Sequence, residues 1–209
     1  MRTSSFVALI CSLAINSFNA VHQPAVAEQS PRAWHIAEAL TTSATVNSET
    51  DRLVLTQIGE KYGYKDTDGK IAIAAQFDNA YAFFDGLAAV KIDAKWGFID
   101  RSGRAIVAFQ FDNASSFESG LAAVKIGDDW GYVNQQGVMA IPPNFDEAET
   151  FSEGLAKVKI DDKWGFIDKE GFVAIDPIFD EVASFHDQMA WVRIGKKVGY
   201  IDETGKFLQ

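Results

Sequence analysis

The residues in this chain that could do chemistry are its acids, its three histidines and a regular set of tryptophans. The histidines stand far apart, at His22, His35 and His186. A zinc site or a catalytic triad needs histidine at close, defined spacing to further ligands or to a nucleophile. These three lack that spacing and predict neither. Asp78, Asp112, Asp146 and Asp180 form one evenly spaced series. A general acid–base pair needs two carboxyls in unlike surroundings that push their pKa values apart. Four equivalent aspartates have like surroundings, so they read as caps that accept backbone N–H bonds at a corner. Asp66, Asp100, Asp168 and Asp202, with Asn134 in the same series, read as caps of a turn. "DTDG", from Asp66 to Gly69, opens like a calcium loop but lacks the later ligands of a complete one. The glycines fall at hairpin turns rather than between a strand and a helix, so no phosphate-binding loop is expected. The expectation is a chain with no catalytic, cofactor-binding or metal-ligating residue, and so not an enzyme.

The tryptophans carry the strongest signal. Trp-Gly pairs begin at Trp96, Trp130 and Trp164, 34 residues apart, and Tyr62-Gly63 and Val198-Gly199 continue the series at either end. Phe77, Phe111, Phe145 and Phe179, each followed by Asp, keep the same step, as do Phe83, Phe117, Phe151 and Phe185. Similarity at a fixed period means stacked supersecondary units. Two uses of the Trp-Gly pair compete. It can be a packing joint, in which glycine bares the backbone so that a neighbouring strand or ring lies flat against it. It can also be a platform that stacks a ligand, with Tyr62, Trp96, Trp130 and Trp164 as the candidate rings. The repetition favours the joint.

The elements that would position these residues read as strands. "LAKVKI" (Leu155–Ile160) alternates Ala156, Val158 and Ile160 with Lys157 and Lys159, a period of two rather than 3.6. Each unit reads as three strands: "GLAKVKI", then "WGFID", then "FVAI" (Phe172–Ile175). A three-residue hairpin turn with glycine at positive φ separates the last two. A longer connection carrying Phe-Asp-x-Ala should fold back as a packed corner, with room for a helical turn. Pro142, Pro143 and Pro177 are expected to stop the third strand. The fold class expected is all-β: a tandem array of 34-residue, three-stranded β-meander units in an open stack, with a short N-terminal helix. A closed propeller-like ring is the alternative, disfavoured because blades of a propeller have four strands and about 40 residues.

These columns resemble the WG-repeat family, also called KWG repeats, of bacterial proteins. The resemblance runs from about Arg52 to Gln209 and rests on "KWGFID", "GLAAVKI" and the Phe-Asp-x-Ala corner at matching spacing. It implies β-strand repeats and no established enzyme activity, and it transfers no catalytic residue. The outer units depart from the motif, with Tyr62 and Val198 in place of Trp, as caps of a stack do.

The remainder bounds partners and location. Net charge is −10, from 19 Lys and Arg against 29 Asp and Glu, which argues against nucleic acid and against anionic membranes. Arg2, the apolar run Phe6–Ile15 and Ala25-Val26-Ala27 have the form of a secretory signal peptide over residues 1–27, with cleavage after Ala20 as a second choice. The run is too short to span a bilayer. Cys11, the only cysteine, lies within it, so the mature chain would carry no thiol and no disulfide. "SPRAWHIAEAL" (Ser30–Leu40) starts as a helix does, and residues 28–51 read as that helix plus a linker ahead of five β units over 52–209. The function expected is an exported scaffold, periplasmic or secreted, that binds a protein partner. A glycan- or wall-binding module with exposed aromatics is the alternative.

Overall fold

The computed structural model describes residues 52–208. Together these residues belong to one compact unit. The expected signal peptide and the helix at Ser30–Leu40 lie outside the described residues.

Those residues form five small antiparallel sheets. The first pairs Val54–Ile58, Lys61–Lys65 and Ile71–Phe77 in that order. The second is Asn79–Ala80, Leu87–Ile92, Lys95–Asp100 and Ala105–Phe111. The third is Asn113–Ala114, Leu121–Ile126, Asp129–Asn134 and Met139–Phe145. The fourth is Glu147–Ala148, Ala156–Ile160, Lys163–Ile167 and Val173–Phe179. The fifth closes with Glu181–Val182, Ala190–Ile194 and Lys197–Ile201. The expected β-meander is present, with one correction to its strand count. The Phe-Asp-x-Ala corner takes no helical turn and instead adds a two-residue edge strand, so the three central sheets have four strands rather than three.

Period-two alternation here serves two buried faces. Ala88, Val90 and Ile99 of the second sheet pack with Tyr64, Ile73 and Phe77 of the first. Leu87, Ala89, Trp96 and Phe98 pack on the opposite face with Ala122, Val124 and Val133 of the third. The same arrangement joins third to fourth through Tyr132, Phe145, Val158 and Ile167, and fourth to fifth through Phe166, Phe179, Val192 and Ile201. Four apolar clusters thus join five successive sheets, the arrangement of an open stack.

The structure answers why glycine follows each tryptophan. Trp130 pairs with Phe145 and Tyr132 with Ile141, so Gly131 alone faces Pro142, Pro143 and Asn144. The third strand bulges over the bare glycine. A Cβ on Gly131 would lie 2.6 Å from the Ile141 carbonyl oxygen and 2.8 Å from the Pro143 nitrogen. Gly63, Gly97 and Gly165 meet the corresponding carbonyls of their own third strands at 2.6–2.8 Å. The partner is therefore the edge strand of the same sheet, not a neighbouring sheet. The bulge also overturns the expectation about proline. Pro142, Pro143 and Pro177 lie inside strands Met139–Phe145 and Val173–Phe179, which run on past the expected end at Ile175. They are tolerated because the strand is at an edge and the bulged residues leave the ladder.

Gly131→Ala should destabilise the protein by about 1–3 kcal/mol, the usual penalty for overpacking, as read from urea denaturation. Alanine elsewhere in a strand stabilises relative to glycine. A Gly131→Ala protein as stable as its parent would refute the backbone contact.

Candidate functional site

The four candidate rings share a register position but not surroundings. Trp96 is buried, 4% exposed, and the Tyr81 ring stacks on it at 5.2 Å and 13°. Trp164 is half-buried beneath two ammonium groups, Lys157 Nζ at 5.4 Å and Lys159 Nζ at 5.9 Å from the ring centroid. Tyr62 is half-buried against the cluster between the first and second sheets. Trp130 is half-buried and lines a cavity of about 260 Å³ with Tyr81, Asn113, Ser115, Glu149 and Thr150. Three of the four rings are thus covered by the protein itself, and they do not form a row of exposed platforms.

The residue one strand back decides what covers each ring. Tyr81, Ser115 and Glu149 hold the same place in successive corners. Tyrosine reaches over Trp96. Glu149 pairs with Lys157 at 3.0 Å, and that ammonium lies over Trp164. Ser115 is too short to cover Trp130, and its hydroxyl is spent locally, donating to the Ser116 carbonyl and accepting from Ala123 N–H.

Three of the four corner aspartates do what their series predicts; among the described residues the Asp146 carboxylate accepts no backbone N–H. Asp78, Asp112 and Asp180 accept the backbone N–H of Asp93, Gly127 and Gly195. Each also takes a lysine from the preceding Trp-Gly strand: Lys61, Lys95 and Lys163. Those lysine bonds, and then the turn amides, hold all three carboxyls below the usual aspartate range. In the hairpins Asp168 Oδ1 accepts from Glu170 and Phe172 N–H, and Asp66, Asp100, Asn134 and Asp202 repeat the turn. The third repeat breaks the lysine series. Asp129 stands where the other repeats have lysine, and among the described residues Asp146 forms no salt bridge. Sequence reasoning missed this break, although the substitution was there to be read in the column.

One grouping was not expected from spacing. Glu153, His186 and Asp187 bring ligand-capable atoms within 4.8 Å of one another. All three are exposed, and both Glu153 oxygens already accept turn amides, from Asp187 and Gln188. Gln188 and Met189, which depart from the Gly-Leu column, form this same last turn.

A family model described as WG containing repeat matches residues 62–96, 96–128, 130–164 and 164–197. No curated protein matches. Ten chains of solved structures do. One of them, a crystal structure of the eukaryotic initiation factor, aligns at 13% identity and TM-score 0.51, over 76% of this chain and 51% of its own. The chain spans about half the length of that protein, and at this identity the likeness is one of fold alone.

The depressed carboxyls of Asp78, Asp112 and Asp180 set a pH dependence. They stay ionised in the folded protein where the unfolded chain takes up protons, so stability is present above about pH 4 and falls as pH drops through the folded values. Urea midpoints at pH 7 and pH 3 should differ by less in an Asp112→Asn/Asp180→Asn protein than in the parent. An unchanged difference would remove these groups as the cause.

Proposed function

The chain belongs to the family of WG-containing repeats, and on that footing we propose that it is an exported, non-catalytic repeat protein whose stacked sheets display a binding surface for a protein partner. The observation that carries this is Phe172. It sits at the end of a hairpin turn with 71% of its surface exposed, beside Val173 at 49%. Asp168 fixes the turn twice over: its N–H donates to the Phe172 carbonyl at 2.9 Å and its Oδ1 accepts the Phe172 N–H at 2.8 Å. The same place in the other repeats holds Lys70, Arg104, Val138 and Lys206, so the turn itself has no need of an aromatic ring. An exposed apolar ring on a backbone already held rigid loses little freedom on binding, and such rings are the usual anchors of protein interfaces. Val138, at the same place one repeat earlier, is a second exposed apolar side chain, at 59%.

Two further features support the reading. The acids that could catalyse are the repeated structural caps described above. The Phe6–Ile15 run and Ala25-Val26-Ala27 support export, and with it a partner outside the cytoplasm.

Phe172→Lys introduces the residue found at this place in the first and last hairpins, so the fold should be unaffected. A partner captured from envelope extract and then purified should bind this variant at least fivefold more weakly, the loss of a contact worth roughly 1 kcal/mol or more. Equal affinity would remove Phe172 from the interface. Mass spectrometry of protein expressed in a bacterial host should find the mature N-terminus at Glu28, or at Val21. An intact Met1 in the cytoplasmic fraction would exclude export.

A further inference from the structure

The repeats themselves show what a tryptophan face at this register accepts. In the second sheet it takes a stacked ring, Tyr81 over Trp96. In the fourth it takes ammonium groups, those of Lys157 and Lys159 over Trp164. In the third, no ring or cation of the described residues lies over Trp130. Ala123 replaces the lysine that reaches Trp164, and Ser115 replaces the tyrosine that seals Trp96. Lys125 pairs across the strand from Trp130 but is not among the residues that line the space beside the ring. The result is a cavity of about 260 Å³ whose lining includes Trp130, Tyr81 and Glu149. That is just below the range of drug-sized pockets, about 300–1,000 Å³.

We propose that this cavity binds an organic ammonium group, supplied by a small quaternary amine or by a lysine side chain of another protein. The indole face attracts a cation through its quadrupole, most strongly when the cation is shielded from water. Glu149 adds opposite charge, and half of its side chain is exposed to a newcomer although it already pairs with Lys157. The local field has the same sign. The third repeat carries Asp129 and Asp146 where its neighbours carry a lysine–aspartate pair, and the chain as a whole is at −10. A neutral ring ligand would use Trp130 but gain nothing from these charges, so the ammonium is favoured over a sugar. The site is separate from the Phe172 surface, and neither depends on the other.

The full chain is titrated with choline, with a trimethyllysine peptide and with an unmodified lysine peptide, following the Trp130 indole N–H by NMR. Choline or a peptide should shift this signal saturably. Choline alone would assign the site to a free amine, and tighter binding of a peptide to a protein side chain. Glu149→Gln should weaken binding roughly five- to tenfold, in line with a cation contact of about 1 kcal/mol or more. Ser115→Tyr imports the residue that seals Trp96 and should abolish binding while leaving Phe172-dependent partner binding intact. Should that variant not fold, Glu149→Gln, altered only at an exposed side chain, decides the matter. The proposal is overturned if 3,3-dimethylbutanol, the uncharged shape-mimic of choline, or a neutral monosaccharide shifts Trp130 equally well. It is overturned too if no ammonium shifts it at millimolar concentration, or if Glu149→Gln binds choline as the parent does.

Discussion

The rest of the structure depends on a missing atom. Where glycine follows the aromatic residue of the middle strand, the edge strand's own carbonyl occupies the space a Cβ would fill. This lets five residues of the third strand, Ile141 to Phe145, lie against three of the second, Trp130 to Tyr132. A bulge of this kind bends the strand and increases its twist. It also re-aims the side chains beyond it: Phe145 turns into the next interface, while Ile141 meets the hairpin of the following repeat, whose Gly171 fits against its side chain. Any side chain at the bulge would push the edge strand away and with it both contacts. The tryptophan is less strictly required, which is why Tyr62 can replace it while Gly63 remains; at the last repeat, with Val198 in its place, the Phe207 ring rather than a carbonyl lies against Gly199.

Around this joint the repeats brace one another by polar bonds as well as apolar ones. The Tyr64 and Tyr132 hydroxyls each donate to a carbonyl of the next corner, Tyr81 and Glu149, at 2.7 Å. Burial pushes both phenols well above their ordinary range, so they stay neutral donors. Ser152 reaches the Phe185 carbonyl, and Glu153 accepts the amides of the turn one repeat on, where Asp187 and Gln188 are held at positive φ. The polar network runs mainly from each repeat to its neighbour, so the array holds together link by link.

The sequence disclosed the parts of this that repeat. Strand order, hairpin caps and corner aspartates could be read because each occurs four or five times, and a column separates pattern from accident. It misjudged what depends on three-dimensional path. Prolines argue against a strand only when its N–H groups are needed, and the bulge removes that need. The two-residue edge strand is too short to show a period at all. The candidate rings were identified by type, but what covers each is decided elsewhere in the chain, by Tyr81 at one and by Glu149 with Lys157 at another. Similarity among repeats made the rings look equivalent, whereas the chemistry lies in their differences. Asp129 in the lysine column and Ser115 in the corner are single departures of that kind.

The two-residue edge strand has a consequence for how the chain takes shape. Because each central sheet begins in the corner, it starts at the end of one period and finishes within the next, and all its strands are consecutive in sequence. A sheet therefore closes as soon as about one period of chain is available, with no distant segment to wait for. Such low separation between partners makes for rapid, sequential folding. A chain that leaves a narrow channel from one end could assemble sheet by sheet in the order it emerges, each finished face serving as the template for the next.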